Sequence, residues 1–246
     1  MHIHVHALCW NERTMLPYFL AHYRRFAERI FLWDNESTDG SREWARQFPA
    51  VTVRTFPGAE INEDRYIAVK REAADLSLSL GADWTIVVDC DELLYHPRLV
   101  DVLAGYMAAG VEVPQVRGYQ YVWPEMPPTA GFDVGTMTHG SPAWGYGKFC
   151  CFRSYCDVPM APGCHETDEI KAEVFRRFKS TETPELALWH VKWLSVDYVL
   201  RRHALLRTRA AANIARGYGI QYGFPEERTR ADAAAIMANL QPVMYA

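Results

Sequence analysis

The chain has 246 residues, of which 49% are hydrophobic, 13% aromatic and 23% charged. That composition fills the core of one large α/β domain and excludes a disordered, collagen-like or coiled-coil chain. The formal net charge of −4 and a pI near 6.1 exclude a general binder of duplex nucleic acid, because counterion release needs a basic surface.

Ile3 to Cys9 alternates as a strand, with His2, His4 and His6 on one face and Ile3, Val5 and Ala7 on the other. The histidine face is expected near a sheet edge. Leu16, Phe19, Leu20 and Tyr23 then recur at helical spacing, with Thr14 as N-cap and Pro17 tolerated in the first turn. Arg29 to Asp34 reads as a second strand ending in the polar loop Asn35 to Gly40, and a short helix follows from Ser41. Val51 to Phe56 is a third strand, residues 63–80 a long helix stopped at Gly81, and Trp84 to Val88 a very apolar fourth strand. Strands alternating with helices imply parallel pairing with right-handed crossovers.

Beyond about residue 112 the pattern is irregular. Strand-like stretches (Gln115 to Val122, Lys148 to Arg153, Leu186 to His190) are separated by long loops rich in Pro, Gly and aromatics. A loop as long as residues 123–147 inside a compact domain is usually functional. Ser195 to about Ala215 is helical and carries Arg201, Arg202, Arg207, Arg209 and Arg216; an ordinary solvated face and a contact with anionic lipid both fit it. No linker or repeat divides the chain, so a single domain over 1–246 is expected.

The six cysteines lack zinc-ribbon spacing and read as reduced, mostly buried thiols. A metal cluster of Cys150, Cys151, Cys156, Cys164 and His165 is the weaker alternative. The N-terminus has no basic segment followed by an apolar one, and no apolar run approaches ~20 residues. The chain therefore reads as cytoplasmic, with peripheral membrane contact through the basic helix as a variant of that reading.

The decisive motif is Asp89-Cys90-Asp91-Glu92, at the carboxyl end of the fourth strand, where ligands of open α/β sheets bind. Carboxylates at i and i+2 there can share one hard divalent cation, and oxygen ligands favour Mg²⁺ or Mn²⁺ over zinc. Such a cation suits a phosphate-bearing substrate. The plainer reading is a solvated acidic turn capping the next helix. Asp34, Asn35, Ser37 and Asp39 stand at another strand's carboxyl end, where short polar side chains can hydrogen-bond a base and ribose or simply build a turn. No phosphate loop and no G-x-G-x-x-G fingerprint is present.

Taken in order, Cys9-Trp10-Asn11-Glu12, Asp34-Asn35-Glu36-Ser37-Thr38-Asp39-Gly40-Ser41 and Val88-Asp89-Cys90-Asp91-Glu92 resemble the landmarks of family 2-like glycosyltransferases with the GT-A fold, in the branch whose metal motif reads D-x-D-E. The resemblance covers about residues 1–100 well and continues loosely through Gly163 to Glu166 and Leu188 to Leu194. It implies a Rossmann-like α/β domain with a mostly parallel central sheet flanked by helices, a nucleotide-sugar-binding half over about 1–110, and a more irregular acceptor half with the C-terminal helices over about 111–246. It also implies a nucleotide-sugar donor, a UDP-sugar by preference, with its base near Asn11, Glu12 and Asp34. Its diphosphate would be bridged by Mn²⁺ or Mg²⁺ to Asp89 and Asp91, with His190 completing the metal shell and His165 as the second choice. Lys70, with Arg65 and Arg71, and Lys192 are candidates to neutralise phosphate.

The acceptor is expected to be a glycan or a lipid-linked hydroxyl. Glu166, beside His165, is the candidate base, with Asp91 at the reacting centre. Two other readings compete. His4 and His6 form the H-x-H of a zinc amidohydrolase, but the chain is short for eight βα units. A non-catalytic carbohydrate-binding protein would use Trp123, Trp144, Trp189 and Trp193 as stacking platforms. In a transferase the aromatics of 119–155 and 189–198 would line the acceptor side.

Overall fold

The computed structural model describes residues 1–143, 147–161, 167–243 and 245. Two five-stranded sheets carry the chain. The first contains β1 (Ile3–Cys9), β2 (Arg29–Asp34), β3 (Val51–Thr55) and β4 (Trp84–Asp89) in the order β3-β2-β1-β4, all parallel. The expected mostly parallel sheet flanked by helices is therefore present. β1 and β2 span the residues expected of them, β1 from its alternation and β2 as an apolar run closed by Arg29 and Asp34.

β5 (Glu92–Tyr95) begins directly after the acidic turn, and α4 (Leu99–Ala109) follows. The second sheet consists of β6 (Val116–Gln120), β7 (His139–Pro142), β9 (Leu186–His190) and β10 (Gln241–Pro242) together with β5, in the order β10-β7-β6-β9-β5. β8 (Cys151–Arg153) returns to the first sheet and pairs antiparallel with β4.

α1 (Leu16–Tyr23) covers one face of the first sheet, where Leu16, Phe19, Leu20 and Tyr23 pack with Ile3, Val5 and Ala7. α3 (Glu63–Ser79) covers the other, where Val69 and Ala73 meet Phe31 and Trp33. Asn62 caps α3, accepting from the Arg65 backbone N–H at 3.0 Å. α2 (Ser41–Ala45) and α5 (Asp168–Arg177) are short, while α6 (Val196–Arg209), α7 (Ala211–Ala215) and α8 (Glu226–Ala238) form the C-terminal layer. No helix among the described residues is long and apolar enough to cross a membrane.

Two expectations fail here. The histidine strand is central, not at an edge: β1 lies between β2 and β4, and His4 and His6 are buried. Trp33 donates its indole N–H to His6 Nδ1 at 3.1 Å, so Nδ1 must accept and Nε2 carries the proton to Ser77 Oγ at 2.7 Å. His6 is thus a satisfied core residue, and burial holds its pKa down to about 3. The aromatic surplus also goes elsewhere than expected. Tyr119, Trp189 and Trp193 are buried, with Trp189 fully enclosed, and Trp123 packs against the main core. Trp144 lies outside the described residues.

Candidate active site at the strand ends

The strand order places a topological switch between β1 and β4: the chain runs outward through β2 and β3, then returns to the other side of β1. Crevices at such points bind ligands in open α/β sheets. Register aligns the three strand ends, with Cys9 beside Asp34 and Leu8 beside Asp89. A cavity of about 350 Å³ opens there, within the range of small-molecule sites. Its walls include Glu12, Asn35, Lys70, Asp89, Asp91 and His190, together with Lys192.

Pairing geometry brings His190 to the acidic turn. β5 runs antiparallel to β9 with Glu92 opposite His190, and the Val191 N–H donates to Asp91 O at 2.7 Å. His190 Nε2 lies 3.2 Å from Asp91 Oδ2. Burial works against an ionised Asp91, but His190 outweighs it and holds the carboxyl below its ordinary value.

Asp89, expected to share a metal with Asp91, has two ammonium groups beside it. Lys70 Nζ donates to its Oδ1 at 3.0 Å and Lys148 Nζ approaches its Oδ2 at 3.4 Å. Lys148 also donates to Glu92 Oε1 at 2.5 Å, while Glu92 Oε2 accepts from the Asp89 backbone N–H at 2.9 Å. Lys148 and Glu92 are almost fully buried. Burial alone would raise Asp89, but Lys70 and Lys148 prevail and keep it ionised well below its ordinary pKa. The acidic turn is therefore split. Glu92 is bound into a buried ion pair with Lys148 that the partly exposed Asp89 joins, and Asp91 is paired with an imidazole.

That split bears on the metal. A carboxylate oxygen and an imidazole nitrogen side by side on the cavity wall form a donor set that suits Mn²⁺ or Mg²⁺ bound together with phosphate. Among the described residues, no three His, Cys, Asp or Glu side chains form a full cage. Asp91 and His190 thus fit a cation whose other ligands come from substrate and water, whereas Asp89 faces two ammonium groups.

Asn11, Asp34, Ser37 and Asp39 do not line the cavity. They weld two loops together: Ser37 Oγ accepts from the Asn11 N–H at 2.8 Å, Asp39 Oδ2 from the Arg13 N–H at 2.9 Å, and Asn11 Oδ1 from the Thr38 N–H at 2.7 Å. Asp34 is fully buried and accepts from the Ser37 N–H at 3.1 Å. The weld holds Asn11 at φ +51°, a left-handed conformation uncommon outside glycine. Its effect is to turn Glu12 and Trp10 onto the cavity wall. Asn35 does reach the wall, donating through Nδ2 to Phe56 O at 3.1 Å and accepting from the Tyr66 hydroxyl at 3.2 Å. His165 and Glu166 lie outside the described residues, as does Cys164.

Three groups in the wall carry no signal of their role in the linear sequence. Lys148 opens a run of Phe and Cys, and only the β4–β8 register, continued three residues from Ile86 opposite Cys151, sets it against Asp89. Arg202 and Arg209 sit on the basic helix but point inward, so that helix is not a uniformly solvated face. Arg209 donates to Gly58 O at 2.6 Å, Ala59 O at 3.0 Å and Asn35 Oδ1, beneath the Trp10 ring at 4.1 Å. The seven-residue spacing from Arg202 to Arg209, two helical turns, could have suggested a common face.

No protein-family model matches the chain, and no curated protein does. Solved structures do. TarS from S. aureus, residues 1–349 in complex with UDP-GlcNAc, is 11% identical with a TM-score of 0.48, over 96% of this chain and 72% of that one. A longer TarS structure is matched over 83% of this chain but only 39% of its own length. Glucosyl-3-phosphoglycerate synthase from Mycobacterium tuberculosis, in complex with Mn²⁺, UDP and phosphoglyceric acid, is 19% identical with a TM-score of 0.32, over 48% of this chain and 43% of that one. These likenesses are too loose to carry function, which has to rest on the side chains described above.

Proposed function

We propose that the cavity at the ends of β1 and β4 binds a nucleoside-diphosphate sugar, a UDP-sugar by preference, and transfers its glycosyl group to a hydroxyl of a glycan or lipid-linked acceptor. The carrying observation is the Asp91–His190 pair on the wall of a 350 Å³ cavity at the switch point. The D-x-D-E motif at the carboxyl end of β4 supports the same reading.

In this reading Asp91 and His190 hold Mn²⁺ or Mg²⁺, which supplies charge neutralisation for the departing diphosphate. Lys192, two residues beyond His190 and also on the wall, adds positive charge on the same side. The Lys70 and Lys148 ammonium groups keep Asp89 ionised and fixed, so the backbone leading into Asp91 is held in one conformation. Trp10 and Tyr66 give the other end of the cavity the flat apolar surfaces that a base requires. The acceptor hydroxyl must lose a proton as it attacks, and Glu166 remains the base on sequence grounds alone. A peripheral membrane contact through the basic helix belongs to this proposal only if the acceptor is lipid-linked.

A thermal-shift screen of nucleotide sugars with and without MnCl₂ tests the function. The expected result is stabilisation by at least one nucleoside-diphosphate sugar, larger with Mn²⁺ and lost in Asp91→Asn. No stabilisation by any nucleoside diphosphate would remove the transferase reading. Sugar binding that survives Asp91→Asn without donor turnover would favour a carbohydrate-binding protein instead.

A further inference from the structure

The acidic end of the cavity is organised by its own ion pairs, but the turn after β1 is held from a distant part of the chain. Arg202, on α6, reaches across 190 or so residues of sequence to three acceptors in one turn. It donates to Trp10 O at 2.8 Å, to Asn11 O at 3.0 Å and to Glu12 Oε1, and its guanidinium stacks 5.5 Å from the Trp10 ring. Two adjacent carbonyls pointing the same way are what the left-handed Asn11 creates, and a planar fork of donors is the group that can satisfy both. Arg202 is itself largely buried, with 16% of its side chain exposed, the same as Glu12.

We propose that Arg202 is a positioning residue of the transfer site, acting through Glu12: it fixes the turn after β1 and aims the Glu12 carboxylate into the cavity. The inference rests on the glycosyl-transfer reading only for the identity of the ligand. The arrangement predicts what Arg202 must do electrostatically. Burial raises Glu12 to about 7, with Arg202 pulling it down and Asp91, Asp39 and Asp89 pushing it up. Those groups stand on α6, the β4–β5 turn, the loop after β2 and the end of β4, and Tyr198 on α6 and Cys90 in the turn also face Glu12. Three of the four charged groups are anions, and Arg202 is the cation that favours the carboxylate.

Glu12 is therefore poised between two forms with different chemistry. As a carboxylate it accepts from hydroxyl groups such as those of a ribose, and as an acid it donates.

The test measures the Glu12 titration by carboxyl ¹³C NMR, assigned by Glu12→Gln, and UDP affinity by calorimetry between pH 6 and 8.5, in wild type, Arg202→Met and Arg202→Lys. In wild type the Glu12 midpoint is expected near 7. Arg202→Met should raise that midpoint by about one unit or more and weaken UDP about tenfold at pH 7.5. Arg202→Lys keeps the charge but cannot fork across Trp10 O, Asn11 O and Glu12. It should return the midpoint towards wild type while leaving UDP weak, and it keeps the test decisive if the Met variant fails to fold. An unchanged midpoint in Arg202→Met, or identical behaviour of the Met and Lys variants in both readouts, would overturn the proposal. If wild type does not bind UDP, the transfer reading fails, and the midpoint shift alone still decides whether Arg202 acts on Glu12.

Discussion

Replacing Lys148 with Met is the most informative single perturbation of the site's framework. Lys148 is 2% exposed and bridges Glu92, 1% exposed, to Asp89. Without it Glu92 keeps the Asp89 N–H but loses its cationic partner, and Asp89 keeps Lys70 alone. Breaking a buried ion pair from one side costs about 3–5 kcal/mol, because a charge is left uncompensated in a poorly solvated place. In a chain of this length that corresponds to a fall in Tm of roughly 6–20 °C.

Adding Glu92→Gln removes the stranded charge while the amide oxygen still accepts from Asp89, so the double variant should regain at least about half of the loss. Urea denaturation followed by tryptophan fluorescence, run as a double-mutant cycle at pH 7.5, measures both quantities. A cost under about 1 kcal/mol for Lys148→Met, with no coupling to Glu92, would refute the idea that a buried network fixes the acidic turn.

Stability should also fall as the solution is acidified from pH 7 to pH 5. Burial holds His6 down to about 3 and His22 to about 4. The native rings therefore stay neutral while the unfolded chain takes up protons below about 6.5, so the stability present above that pH is lost on the way down. Each histidine contributes about 2 kcal/mol to the loss over these two pH units. His6→Gln should remove its share of the slope, read from urea midpoints at the two pH values; an unchanged slope would mean that His6 titrates normally. Gly140→Ala should destabilise by about 1–3 kcal/mol, since its Cβ would meet Trp189 ring carbons at 2.8 and 2.9 Å and Tyr119 Cβ at 3.1 Å. Trp189 is fully buried and has nowhere to move; a wild-type melting curve would show otherwise.

Much of this architecture could be read from residue order. β1 alternates, β2 and β9 are apolar runs ending in a polar residue, and their limits follow from those patterns. The placement of Asp89 and Asp91 at a strand end is equally local. His190 was legible as a strand end, and only the family resemblance set it beside Asp91, because that contact depends on β5, which starts inside the acidic motif with no break to announce it. Asp34, Ser37 and Asp39 were ambiguous for a different reason. Short polar residues after a strand serve ligands and turns alike, and here hydrogen bonds from the Asn11 and Arg13 backbone N–H groups decide for the turn. Lys148, Arg202 and Arg209 owe their places to long-range packing, which charge patterns on a helix or beside a strand do not report. Trp189 and Trp193 show the same limit in reverse: aromatic clustering marked a core, not a sugar platform.

The most direct test is a crystal grown with UDP and MnCl₂, measured at a wavelength where manganese scatters anomalously. The expected map has an anomalous peak within bonding distance of both Asp91 Oδ2 and His190 Nε2, with the diphosphate against it and the base towards Trp10 and Tyr66. A cavity without nucleotide, or a manganese peak that involves neither Asp91 nor His190, would contradict the assignment of this cavity as a metal-assisted glycosyl-transfer site.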